Sequence, residues 1–210
     1  MEREKFYERF HSNERVAFFS DGVFAIVVTL LVLELKVPEI HDEYSSRELF
    51  HELWQMKHKF MSFALSFLFT VNLWFSHNQF FKTLARIDNV LLWLNNILLL
   101  SICFIPYPTS LIGDYPHNSA GVIIFGINWI IVPLLFYLMG TRSLKAKLIS
   151  QHVDMKRYLE IRRMILVFIP VGFVPLILSF FFPEVALVIY IILLFGGIIL
   201  GDRVKLVETN

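Results

Sequence analysis

The sequence predicts an all-α fold: a polytopic membrane protein of six transmembrane helices with both termini cytosolic. Three observations lead there. Of 210 residues, 56% are hydrophobic and only 18% charged, and the mean hydropathy is +0.62, whereas a soluble domain carries about a quarter charged residues. Cutting the chain at every Asp, Glu, Lys and Arg leaves uninterrupted stretches at 60–81, 89–113, 115–141, 164–183 and 185–201, of 22, 25, 27, 20 and 17 residues. At 1.5 Å of rise per residue, about 20 apolar residues cross a hydrocarbon core about 30 Å thick. The cations are also lopsided. With the N-terminus cytosolic, 15 Lys and Arg fall inside (four from Arg3 to Arg15, Lys82 and Arg86, seven in 142–163, Arg203 and Lys205), against four outside, Lys36, Arg47, Lys57 and Lys59. Loop Lys and Arg set membrane orientation, so the reverse is strongly disfavoured.

The first helix, expected over 16–33, is the only one with an internal acid, Asp21. The charged 1–15 stretch lacks the apolar core and small-residue cleavage site of a signal peptide, so this helix is expected to stay in the mature protein. Pro38 should end it. Within the long outside connection 36–59, the second half places Leu49, Leu53 and Met56 three or four apart. That is the spacing of a short surface helix, with a solvated loop as the alternative. Spans two, three and four follow at 60–81, 89–113 and 115–141. The basic cytosolic segment 142–163 fixes orientation and can touch anionic lipid headgroups. Spans five and six are joined by only 182–184, which leaves room for a tight hairpin and sets the two helices side by side. Residues 1–210 read as one membrane domain, with no repeat or low-complexity tract. The lone Cys103 excludes an intrachain disulfide and a cysteine metal cluster. No cofactor, metal or nucleic-acid partner is expected, although the formal net charge of +1 by itself says nothing about nucleic acid.

An acid inside an apolar span costs several kcal/mol unless paired or hydrated, so Asp21 is a functional candidate by default. The alternative is that Ser20 or Asp21 caps a helix beginning at Gly22, although such a helix would be short for a span. Depth gives an independent check. Asp21 lies six residues beyond Arg15, His77 five before Lys82 and Asn95 seven beyond Asp88, all about 8 to 10 Å inside the same face. Ser20, Asn72, Trp74, Ser76, Trp93 and Asn96 lie near that level. A polar network joining the first three spans is therefore expected. Taken singly, His77 reads as a hydrogen-bonded packing histidine and Asn95 and Asn96 as interhelical glue. Ser20, Asp21 and His77 are also the residue types of a hydrolytic triad, but no second acid or glycine-rich oxyanion turn accompanies them. On a helical wheel with Asp21 at the origin, Gly22, Leu33, Ile26 and Leu30 fall at about 100°, 120°, 140° and 180°, and Thr29 at about 80°. One face can bind the polar layer while the other lines something.

Arg15, Phe19, Ser20, Asp21 and Gly22 spell R-x-x-x-F-S-D-G, and the continuation VFAIVVTLLVLELKVP resembles the first helix of the transmembrane protein 175 family of endosomal and lysosomal potassium channels and their bacterial relatives. The resemblance extends through Trp74 and His77 of span two and IDNVLLWLNNILLLSICFIPYPT of span three. It implies a six-helix subunit, the prokaryotic homotetrameric form, whose first helix lines a central pore without a TVGYG filter. By similarity, Ile26 makes the constriction, with Leu30 and Leu33 as further rings, and Thr29 resembles a position implicated in cation selectivity. Arg15, Phe19, Ser20, Asp21, Trp74, His77 and Asn95 would then hold helix one against its neighbours. The expected function is a potassium-permeable, leak-type cation channel of a bacterial plasma membrane, not an enzyme. The alternative is a proton-coupled transporter with Asp21 and His77 as a relay and Pro106, Pro108, Pro133, Pro170 and Pro175 breaking helices around a midplane site.

Overall fold

The computed structural model describes residues 13–41 and 44–202, with side chains through Gly197. Helix α1 runs Asn13–Leu30 and tightens into a 3₁₀ turn, Leu31–Glu34. There follow α2 (Ser46–Gln55), α3 (Lys57–Lys82), α4 (Asn89–Cys103), α5 (Pro106–Asp114), α6 (Ser119–Lys145), α7 (Met155–Leu178) and α8 (Pro183–Asp202). Among the described residues, five helical spans are long and apolar enough to cross a membrane: α1 with its 3₁₀ turn, α3, α4 together with α5, α6 and α7. The shorter apolar stretch Pro183–Gly197 of α8 follows them. This is a multi-pass membrane fold.

Because α1 begins at Asn13, Ser20 and Asp21 sit well inside a helix, and neither caps one starting at Gly22. Of the two readings of 46–59, the helix is the one seen. The Ser45 hydroxyl accepts the Glu48 amide N–H at 3.3 Å, and the Glu48 carboxylate accepts the His41 amide N–H at 2.9 Å. An N-cap of this kind satisfies donors that a short helix otherwise leaves open. Phe50 and Trp54 of α2 are exposed.

Span three departs from the single helix expected over 89–113, and the reason is Pro106. Without an N–H, it cannot bond the Ile102 carbonyl. The chain tightens instead, so that the Ile105 amide bonds Ile102 at 3.0 Å. This releases the Ser101 carbonyl, which the Asn128 amide of α6 takes at 3.0 Å. The break between α4 and α5 is thus closed by a side chain from another helix. Pro133, Pro170 and Pro175, by contrast, lie inside continuous α6 and α7.

The core centres on α6, which buries Val122, Phe125, Val132 and Met139 against α4, α5, α7 and α8. Helix α8 adds Ala186, Tyr190 and Leu194 at four-residue spacing and packs on α7, as the short hairpin predicts. Between α6 and α7 the chain turns at Lys147, whose φ of 53° is left-handed. Leu148 N–H bonds Ser143 O at 2.9 Å and Lys147 N–H bonds Leu144 O at 3.2 Å, the paired bonds that satisfy a helix C-terminus. The turn then docks on the α3–α4 connection, Ala85 N–H to Leu148 O at 2.8 Å and Ser150 N–H to Thr83 O at 2.9 Å. Asp88 locks the same end. One carboxylate oxygen caps α4 by accepting Leu91 N–H at 2.9 Å, and the other takes Arg142 Nε at 2.9 Å and Nη2 at 2.5 Å.

Candidate pore helix and its polar anchor

Helix α1 packs against α3 and α4 at one edge of the bundle. Its buried residues, Val16, Ser20, Phe24 and Val27, and Leu31 of the 3₁₀ turn that continues it, recur every three or four positions and so form one stripe. Ile26, Leu30 and Leu33 are on the other side, 58%, 43% and 67% exposed, whereas Phe24, Val27 and Leu31 are at 2% or less. Thr29 is exposed too. On the wheel it stands about 180° from the centre of the buried stripe. Its hydroxyl hydrogen is donated to Ile26 O at 2.8 Å, so toward a ligand the oxygen serves as an acceptor.

The buried stripe is held by a directional hydrogen-bond chain. The Ser20 hydroxyl donates to Val16 O at 2.8 Å, the Asn95 amide donates to Ser20 Oγ at 3.1 Å, and Asn95 Oδ1 lies 2.8 Å from His77 Nε2. Since a carbonyl oxygen only accepts, His77 carries its proton on Nε2 here. Its ring stacks on Phe81 at 4.2 Å and meets Phe24 at 5.4 Å. All three polar residues are essentially buried, so the chain joins α1, α3 and α4 in a layer that excludes water.

The layer is centred on Ser20 rather than on Asp21. Asp21 sits half-buried at its margin, accepting the Trp74 indole N–H at 2.9 Å. Of the other residues expected there, Phe19 is exposed on the open side of α1 and Arg15 is exposed in its first turn. His77 Nε2 faces Asn95, which removes the triad arrangement of Ser20, Asp21 and His77. Two further residues have roles that the sequence pattern did not assign: Asn128, which takes the freed Ser101 carbonyl, and Asp88, named there only as the edge of span three, which caps α4. Pro106 signalled the first, because a proline within a span implies a freed carbonyl somewhere. An Asp before the apolar run 89–113 signalled the second, as a helix cap.

A second buried polar pair lies elsewhere, Thr109 Oγ1 donating to Ser66 Oγ at 2.6 Å between α5 and α3. Around α6, Trp129 stacks on Phe69 at 4.6 Å and approaches Tyr190 at 5.2 Å. The Trp129 indole nitrogen and Tyr190 hydroxyl are the buried side-chain polar atoms that have no partner among the described residues.

Fold and site together define a multi-pass α-helical membrane protein whose first helix is anchored on one face and uncovered on the other. The family described as endosomal/lysosomal potassium channel TMEM175 matches residues 15–106, the stretch that holds α1, α3 and α4. A potassium channel of Chamaesiphon minutus is 31% identical over 144 residues, covering 67% of this chain and 70% of that protein. A potassium channel of a Chryseobacterium species is 28% identical over 199 residues, 91% of this chain and 95% of that one. The crystal structure of a lysosomal potassium-selective channel TMEM175 homolog from Chamaesiphon minutus superposes with a TM-score of 0.80 at 25% identity, covering 89% of this chain and 96% of that one. The chain belongs to the TMEM175 family, a family of ion channels, and is not an enzyme.

Proposed function

We propose that this potassium channel of the TMEM175 family conducts passively through a central pore lined by four copies of α1. The subunit then crosses the membrane six times, α8 being the sixth span, with both termini cytosolic in a bacterial cell membrane. Ile26 forms the tightest ring, Leu30 and Leu33 form further rings, and Thr29 presents hydroxyl oxygens beside the constriction. The observation that carries this reading is the contrast across α1: Phe24, Val27 and Leu31 sealed at 2% or less, Ile26, Leu30 and Leu33 at 58%, 43% and 67%. Such apolar side chains are suited to an axis shared with other copies. One open stripe per chain cannot enclose a pore alone, which argues for the homotetramer.

An apolar ring gates by dewetting, since a cation there sheds water without gaining oxygen ligands. Selectivity for potassium is modest in consequence, set by ring width and by the Thr29 hydroxyls. A carrier that relays protons through Asp21 and His77 fits less well. The His77 Nε2 proton is engaged by Asn95, the break at Pro106 is closed by Asn128 on the freed Ser101 carbonyl, and α6 and α7 run unbroken through Pro133, Pro170 and Pro175. Reconstitution in planar bilayers separates the two. The channel reading expects unitary potassium currents from a species with the mass of four chains. Saturable flux without unitary events, or a stable conducting monomer, overturns it.

A further inference from the structure

A groove of about 500 Å³ runs between α3, α6, α7 and α8, and none of its lining comes from α1. Its wall is mostly apolar, with Asn72, Ser76 and Gln79 on the α3 side and Arg162 at one end. The Arg162 guanidinium is held in place: Nη2 donates to Tyr137 Oη at 3.0 Å and to Thr141 Oγ1 at 3.2 Å, Nε to Thr141 Oγ1 at 3.3 Å. Its carbon lies 4.7 Å over the Tyr137 ring. These bonds occupy the Nε and Nη2 edge, so the two N–H groups of Nη1 remain to be engaged. Two other arginines of this end have acids, Arg142 with Asp88 and Arg157 with Asp154. Among the described residues, no carboxylate lies within ion-pair distance of Arg162.

Groove length matches one leaflet. From Arg162 the lining follows α7 through Ile165 and Phe168 to Gly172, ten residues and therefore about 15 Å, half of a hydrocarbon core about 30 Å thick. A fixed guanidinium at headgroup depth, continuous with an apolar channel ending near the midplane, is complementary to one molecule type. We propose that this groove holds an acyl chain of an anionic glycerophospholipid from the cytosolic leaflet, with its phosphate on the Nη1 edge of Arg162. With Nε and Nη2 engaged, Nη1 still offers a phosphate oxygen short, charge-assisted N–H···O bonds. Gly172 lies at the deep end: a Cβ there meets ordinary contacts on α6, 3.6 Å to Ile130 and to the Trp129 carbonyl, and a leucine is expected to narrow the groove where α6 and α7 meet.

The test measures retention of phosphatidylglycerol by the purified full-length protein in native mass spectra, and the rise in melting midpoint when phosphatidylglycerol replaces phosphatidylcholine in mixed micelles. Wild type should retain the anionic lipid and melt higher with it, since a ligand that binds only the folded state stabilises it. Arg162→Gln should weaken binding about ten- to a hundred-fold, the loss of charged hydrogen bonds, and abolish that rise. Arg163→Gln, which removes the same charge from an exposed neighbour, should keep both. Gly172→Leu leaves Arg162 in place and should also lose the lipid, which keeps the proposal testable if the Arg162 variant does not fold. Equal losses from Arg162→Gln and Arg163→Gln overturn the site in favour of diffuse surface charge. Unchanged retention in Gly172→Leu overturns the acyl-chain groove. Dissociation of the oligomer by either groove variant with lipid retention intact assigns the groove to a neighbouring subunit instead.

Discussion

Replacing His77 by Phe and Asn95 by Leu together should cost the fold much less than the two single replacements added. Asn95→Leu takes the acceptor from a histidine that is 1% exposed, and burying that N–H without a partner costs about 1 to 3 kcal/mol. Ser20 is spared, because its hydroxyl still donates to Val16 O at 2.8 Å. His77→Phe orphans the Asn95 carbonyl oxygen at a similar cost, while the new ring keeps the stacking positions of Phe81 and Phe24, at 4.2 and 5.4 Å from the old one. In the double variant neither orphan exists. The coupling between the two positions should therefore be about 1 to 3 kcal/mol. Unfolding of all four proteins by titrated SDS in mixed micelles, followed by tryptophan fluorescence, gives the cycle. Additivity within about 0.5 kcal/mol would refute the directional chain from His77 through Asn95 to Ser20.

Two further outcomes follow from local geometry. A Cβ at Gly126 would overlap the hydroxyl of fully buried Tyr190, so Gly126→Ala should destabilise by about 1 to 3 kcal/mol, the usual cost of overpacking. Tyr190→Phe removes a buried hydroxyl that has no partner among the described residues; in the same SDS assay it should be neutral or stabilising and should rescue Gly126→Ala, and failure to rescue would mean the clash lies elsewhere. For Asp88, burial alone pushes the carboxyl up, but the Arg142 guanidinium and the Leu91 amide outweigh it and hold the group below its ordinary value. A lowered folded value gives stability that is fully present above the unfolded carboxylate pKa of about 3.9 and is lost as pH falls through the folded one. Stability of wild type and Asp88→Asn should thus differ most at neutral pH and converge below about pH 4, which melting midpoints across pH will show.

Much of this was legible in the sequence because membranes impose simple rules. The charge-free stretches located the apolar helices, and matched depth brought Asp21, His77 and Asn95 to one level with Ser20 beside them, since a buried polar group needs partners where it lies. Which side chain of the SDG run would face inward was harder to read. Ser20 and Asp21 are one residue and about 100° apart on a helix, and depth alone cannot separate them. Packing against α3 and α4 did: the inward position takes the small hydroxyl, which can satisfy itself on Val16 O, and the charge is left at the margin on Trp74. The break in span three was hidden for a similar reason. Pro106 announces a missing donor, but whether the helix kinks, ends or restarts depends on a remote partner for the freed carbonyl, here Asn128.

If the open face of α1 lines the ion path, reversal potentials under a potassium-to-sodium gradient report it most directly. If Ile26 rings the constriction, Ile26→Asn adds polar groups where a cation is otherwise dehydrated. Conductance should rise and the reversal potential should move toward loss of potassium preference, with Leu30→Asn acting in the same direction but less. Val28, half-buried on the Asp21 side of the helix, is the control, and Val28→Asn should impair assembly without shifting the reversal potential. A shift produced by Val28→Asn, together with unchanged conductance and selectivity in Ile26→Asn, would mean that α1 faces the other way and that the ion path runs elsewhere.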